Sequence, residues 1–274
     1  MKLKQPSILF LGLFFICCFP QLGISADLNA QQIVARGEDQ MRGLSSQATM
    51  EMVISRPTYE RTLSLRSWAT GTERALVEIL KPAKEEGVAS LRVDANMWNY
   101  LPKTDQVVRV PSSLMLQSWM GSDFTNDDLM KASSLSRDYK HNIIRKGTKN
   151  QEAAVLIECK PKPSAPVVWG KVMHWARLSD FLPVHQEFFD EKGKLVRTIT
   201  FSDFKTMDDR IIPTRLHIQQ AGNAKEATTV TYEKIVFNKE IPMSVFSKEE
   251  IRRMSQKGKV ITAGWFLDPR KVRN

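Results

Sequence analysis

Two periods of apolar residues divide the chain. From Asn29 to Met41 the apolar positions Ile33, Val34 and Met41 fall at helical spacing, with Asp27 and Asn29 as candidate caps. This predicts an amphipathic helix ending near Gly43. Beyond it the period becomes two. Ala48, Met50, Met52 and Ile54 alternate with Thr49, Glu51 and Val53, and Leu63 and Leu65 alternate with Thr62, Ser64 and Arg66. The same pattern runs through Arg74 to Leu80 and Val88 to Val93, and it marks a sheet that buries one face. Further strands are predicted at His141 to Lys146, Ala153 to Cys159, Lys171 to Leu178, Pro183 to Asp190, Leu195 to Phe204, Ile211 to Gln220 and Lys225 to Phe237. Glu191-Lys192-Gly193-Lys194 and Ala221-Gly222-Asn223 read as hairpin turns. Lys160 to Pro166 reads as a loop. Ser247 to Met254 reads as a short helix, with Ser247 and Glu250 forming a capping box.

Short strands in regular succession pair with their sequence neighbours. No βαβ alternation and no internal repeat is visible. The expected fold is mainly β with some α (α+β): a large antiparallel sheet of about ten or eleven strands, curled towards a barrel. Its apolar face needs a cover. The helical material at the N-terminus and between about Ser112 and Ser136 is the available cover.

One stretch breaks both periods. Met97 to Asp128 reads MWNYLPKTDQVVRVPSSLMLQSWMGSDFTNDD. Met97, Trp98, Tyr100, Leu101, Leu114, Met115, Leu116, Trp119, Met120 and Phe124 sit among Pro102, Pro111, Gly121 and a run of acids. Met is unbranched and polarizable, and Trp combines area with a polar handle, so such a segment suits an adaptable apolar surface. Each of these side chains also fits a plain core. Thr125 to Asp128 suits the N-cap and first turn of a lid helix. Asp123, Asp127 and Asp128 read as caps, because their spacing lacks the alternating ligands and central Gly of a calcium loop.

The first residues carry a separate signal. Lys2 and Lys4 precede the apolar run Ile8 to Phe19, and Ile24-Ser25-Ala26 ends on a small residue. This is the layout of a secretory signal peptide over residues 1–26, with cleavage after Ala26. The run is short for a membrane span of about 20 residues. Cys17 and Cys18 raise the alternative of a lipid-modified N-terminus, against which stands the bulky Ile16 before Cys17. Of the 274 residues about 248 remain, expected as a single domain over residues 27–274 with a short C-terminal tail. In a bacterium the destination is the periplasm. Cys159 is then the one remaining cysteine, which leaves no intramolecular disulfide. It alternates with Val155 and Ile157 and reads as a buried small hydrophobe. Loss of Lys2 and Lys4 lowers the formal charge from +10 to +8. Export argues against nucleic acid as the partner of this charge; anionic headgroups or a membrane surface fit it better, and so does a generally basic, soluble surface with no partner.

The order of these segments carries a family resemblance. RTLSLRSWATGTERALVEILKPAKEEGVASL is followed by MWNYLP, VVRVP and SWMGSDFTNDDL. The chain resembles the outer-membrane lipoprotein-sorting proteins, in the uncharacterised LolA-like branch of that superfamily, over roughly Asp27 to Phe246. The resemblance implies an unclosed β half-barrel with a helical lid over an apolar cavity. It implies a monomeric periplasmic carrier that shields the acyl chains of a lipid or lipoprotein between an inner-membrane transporter and an outer-membrane acceptor. In the founding members an Arg at the cavity helps hold lid and cargo; the sequence does not place it here.

The expected acyl-chain contacts are Met50, Met52, Leu63, Leu65, Met97, Trp98, Tyr100, Leu114, Met115, Trp119, Met120 and Phe124, with Arg109 as the headgroup candidate. His141, His174, His185 and His217 are dispersed. No H-E-x-x-H, C-x-x-C, G-x-S-x-G or phosphate-loop motif occurs, so no metal or cofactor is expected. A lipid-sensing regulatory module of the envelope is the alternative function. A secreted hydrolase, its groups brought together only in space, is a third.

Overall fold

The computed structural model describes residues 28–130, 134–163, 165, 167–223 and 225–257. The signal peptide, Cys17, Cys18 and the tail from Gly258 lie outside the described residues.

Helix α1 (Ala30–Arg42) opens with the expected cap. The Gln32 N–H donates to Asn29 Oδ1 at 2.9 Å, and the Asn29 N–H donates to Gln32 Oε1 at 3.0 Å. Two orphan donors of the first turn are thereby satisfied. Gly43, at φ 63°, ends the helix, its N–H bonding Asp39 O.

The alternating segments form one antiparallel sheet. Its first meander is β1 (Ser45–Arg56), β2 (Tyr59–Thr70), β3 (Arg74–Lys81), β4 (Ala89–Val93), β5 (Asn96–Leu101) and β6 (Gln106–Val110). Its second is β7 (Tyr139–Lys149), β8 (Glu152–Pro161), β9 (Lys171–Arg177), β10 (Pro183–Phe189), β11 (Leu195–Met207), β12 (Arg210–Gln220) and β13 (Ala227–Phe237). The meanders join where β1 pairs with β13, giving the order β6-β5-β4-β3-β2-β1-β13-β12-β11-β10-β9-β8-β7. The sheet does not close, since β6 and β7 remain its two edges.

Thirteen strands replace the expected ten or eleven. The additional pair is β5 and β6, inside the stretch read from sequence as irregular. Both faces of β5 are covered. Met97 joins the inner core and Tyr100 an outer one. Apolar residues therefore occur on both registers, and the alternation that reveals a half-buried strand is missing.

The outer cluster contains Trp68, Leu76, Leu91 and Tyr100 from β2 to β5. Ile241, Val245, Phe246, Ile251 and Met254 pack against it from the C-terminal segment. That segment ends in α4 (Lys248–Lys257), whose cap is the Ser247 hydroxyl accepting from the Glu250 N–H at 3.1 Å.

Residues 111–138 connect the two edges. Among their described residues the helical elements are the short α2 (Asn126–Met130) and α3 (Leu135–Asp138) and the 3-10 turn Ser112–Leu114. On the way they touch β4, β1, β13 and β11, so they cross the inner face as a strap. Helix α1 lies beside α3, β7, β9 and β12. A side chain at Gly37 would place its Cβ 2.4 Å from the Phe181 carbonyl oxygen, so only glycine permits this approach.

Candidate ligand-binding site

Under the strap and α1 lies a cavity of about 370 Å³, lined by residues of β1 to β4 and β9 to β13. The sheet therefore curves around it. Its floor follows from register. Met52, Val230, Leu216 and Phe201 are successive cross-strand partners on β1, β13, β12 and β11, and Leu63 on β2 continues the row beyond the lining. All five are buried and belong to one apolar cluster. The next row carries Leu65 opposite Met50. Trp119 and Phe124 enter from the strap and Met41 from α1. The volume lies within the roughly 300–1,000 Å³ typical of small-molecule sites.

Of the residues expected at the cavity, Met50, Met52, Leu65, Trp119 and Phe124 line it. Leu63, Met97, Leu114, Met115 and Met120 belong to the surrounding cluster without lining it. Trp98 and Tyr100 lie elsewhere. Both face the outer cluster, and Lys248 Nζ stands 4.6 Å from the Trp98 ring centroid. The reason is the pleat: Met97 points inward, so Trp98 and Tyr100, one and three positions on, point outward. Arg109 pairs directly with Trp98 and shares its outer face, exposed and bonded to Asn96 Oδ1 at 2.6 Å. It stands on the opposite side of the sheet from the cavity.

The strap is fastened by side chains that sequence reasoning did not select. Arg197 on β11 is 1% exposed. It donates to both Asp128 carboxylate oxygens at 2.6 Å and to the Asp123 carbonyl at 3.2 Å. Its guanidinium lies 4.7 Å from the ring centroids of both Trp169 and Phe188. Arg56 on β1 pairs with Asp123 at 3.1 Å and donates to Gly121 O at 2.7 Å. Thr228 on β13 donates to Asp123 Oδ2 at 2.7 Å and accepts from the Asp123 N–H. Arg61 donates to Met120 O. The Trp119 indole N–H donates to Ser90 Oγ on β4 at 2.9 Å.

Asp128 also completes a capping box at the start of α2: its carboxylate accepts from Thr125 N and Oγ1, and its own N–H donates to Thr125 Oγ1. Burial alone would raise its pKa, but the bonds and charge of Arg197, together with Thr125, hold it below the usual carboxylate range. Asp123 serves in an ion pair, not as the cap expected of it. Asp127 faces the cavity, and burial followed by the neighbouring Asp128 charge pushes its carboxyl up to about 6.

A readable signal for Arg197 does exist: it occupies the inward register of Ile199 and Phe201, a lone cation on an apolar strand face. Arg56 likewise continues the register of Met50, Met52 and Ile54.

The histidines remain apart. His141 bonds Leu135 O, His174 bonds Gln186, His185 bonds Thr200 and His217 bonds Thr229. Burial lowers His174 and His185 to about 4. Cys159 is fully buried, and its thiol is pushed up to about 12, chiefly by burial. Among the described residues no three His, Cys, Asp or Glu side chains are grouped to hold a metal, and no helix is long and apolar enough to cross a membrane.

Comparison with known proteins gives the same architecture. A structure described as an outer membrane lipoprotein-sorting protein domain, from Vibrio parahaemolyticus, superposes with a TM-score of 0.70 at 22% identity. The match covers 82% of this chain and 98% of that one. A LolA superfamily protein from Nitrosomonas europaea gives 0.69 at 23% identity, covering 81% and 99%. A DUF1329 family protein from Desulfovibrio piger gives 0.74 at 19% identity, covering 81% and 97%. No curated protein sequence matches significantly. Residues 71–253, more than half of the chain, match the model of a family described as an uncharacterized protein. The chain belongs to that family, and its fold is that of the LolA superfamily.

Proposed function

We propose that the protein is a periplasmic carrier that shields the acyl chains of a lipid or lipoprotein in the strapped cavity during transfer towards the outer membrane. The observation that carries this reading is the apolar floor of the cavity, roofed by Trp119 and Phe124 from a segment held mainly by polar contacts. Each buried CH₂ contributes about 0.8 kcal/mol, so a single long chain supplies ample binding energy. The harder requirement is release. A roof held by ion pairs and hydrogen bonds exchanges those contacts for water when it lifts, at less cost than exposing an apolar core. The names of the structural neighbours support the same class of cargo. An inner-membrane donor and an outer-membrane acceptor complete the route.

A fluorescent fatty-acyl titration with thermal unfolding tests this on Trp119→Ala and Leu63→Ala. Trp119→Ala should weaken acyl binding by about 1–3 kcal/mol, the worth of burying one large side chain. Leu63→Ala should cost the fold more, about 2–5 kcal/mol. Acyl affinity unchanged in folded Trp119→Ala protein would make Trp119 a core residue and remove it from the binding surface.

A further inference from the structure

The cavity has two unlike ends. At the level of Met52 and Met50 its floor is apolar. Two residues towards the start of β1 the row runs Ala48, Ser67, Val77 and Ser90, and one step further it runs Ser46, Ala69, Ala75 and Arg92, across β1, β2, β3 and β4. Ser46, Ala69 and Ala75 are small, so the wall beside Arg92 is recessed, and all four residues line the cavity. Arg92 is 5% exposed. Among the described residues it makes no ion pair, and its one hydrogen bond runs from Nε to the Asp94 carbonyl at 3.2 Å. Among the described residues neither terminal nitrogen of this buried guanidinium has a protein acceptor. Arg42, in the last turn of α1, lines the same end and likewise has no ion pair among the described residues. Gly43 and Leu44 lead from it directly into β1, which fixes it above this row.

Burying an unpaired cation is costly, and placing a second beside it more so. Burial, then the Arg42 charge, lowers the Arg92 pKa to about 10. The nearby acids relieve this only in part, since Glu73 and Asp94 draw the Arg92 pKa back up and Arg92 in turn lowers that of Asp127, without forming an ion pair. Glu73 and Asp94 lie on exposed turns beyond ion-pair distance. Glu38, which also lines the cavity, is occupied by Ser134, Leu135 and Ser136. Asp127 faces the cavity without an ion pair among the described residues. A guanidinium with free donors at one end of an apolar cavity matches an oxyanion attached to an apolar tail.

We infer that Arg92, assisted by Arg42, binds the anionic headgroup, phosphate or carboxylate, of an amphiphile whose chain lies on Met50, Met52 and Leu65. This rests on the carrier reading above and narrows its cargo to an acidic amphiphile.

The test compares lauryl phosphate, sodium laurate and neutral monolaurin, which share one chain, binding to the mature protein by calorimetry. Wild-type protein should prefer the two anions over monolaurin. Arg92→Gln should shrink that preference by roughly ten- to a hundredfold, the worth of charge-assisted hydrogen bonds, and Arg92→Lys should restore part of it. Arg42→Gln, at a partly exposed site, should shrink it less and serves if Arg92→Gln fails to fold. Inorganic phosphate alone distinguishes a headgroup from the free ion. Displacement of lauryl phosphate by an equal concentration of inorganic phosphate would overturn the assignment in favour of a free-oxyanion site. If all three amphiphiles bind and the preference is unmoved in the folded variants, the headgroup site is wrong and the carrier reading stands. If none binds wild-type protein, both are wrong.

Discussion

Asp127 and Asp128 are adjacent, yet they hold their charges on opposite terms. Asp128 meets a bidentate arginine, whereas Asp127 faces the cavity with no ion pair among the described residues. A carboxyl raised from 3.8 to about 6 in the folded protein binds more protons there than in the unfolded chain. Its contribution to stability is therefore full below about pH 3.8 and is lost as pH rises through about 6. Asp127→Asn should stabilise the protein at pH 7 by roughly 1–2 kcal/mol, after allowing for partial exposure, and have no advantage near pH 3.5. Thermal unfolding across that range checks this, and equal gains at both ends would contradict it. At this scale the sequence was only partly legible. A run of acids announces a helix start, and Asp128 joins Thr125 in capping one. That Asp128 also receives Arg197, and that Asp123 receives Arg56, depends on residues 69 and 67 positions away in the chain, which local pattern does not join.

Among the elements, the strands were readable wherever one face is wet. β1 and β2 declare themselves by alternation. β5 does not, because Met97 faces one core and Tyr100 another. The same two-sided burial misled the site prediction for Trp98 and Tyr100: richness in aromatics indicated apolar surroundings without indicating which side. The strap is the element with the least regular structure, and its attachment rests on few residues. Replacing Arg197 by Lys keeps the charge but loses the bidentate geometry and the stacking on Trp169 and Phe188. Arg197→Lys should reduce hydrogen-exchange protection of amides in Asp123 to Asp128 by roughly 1–3 kcal/mol while leaving β1 and β13 unaffected. Uniform loss across the sheet would place Arg197 in the global core instead.

For the whole molecule, a period of two says which face a residue occupies and nothing about which strand is its neighbour across a long loop. The meander was legible because hairpins pair sequence neighbours. The closure of β1 on β13 was not, and it is this pairing that makes β6 and β7 the two margins. The segment between those margins then behaves as the string of a bow, with the curved sheet as its stave. A string tied at both tips cannot swing aside as a hinged cover does. It lifts from the face when its ion pairs and hydrogen bonds open, and it slackens as the tips approach or tightens as they part. We expect cargo that spreads the stave to draw on the string, so that the path of residues 111–138 across the hollow limits cargo girth. A protease site introduced at exposed Leu116 would cut the string with the stave intact. The nicked protein should accept amphiphiles with more or bulkier chains than the uncut protein, and should lose single-chain ligands faster. An identical size limit before and after cutting would mean that the stave alone fixes the girth. If the limit moves, the reach of one irregular connection is what tells a slender passenger from a bulky one.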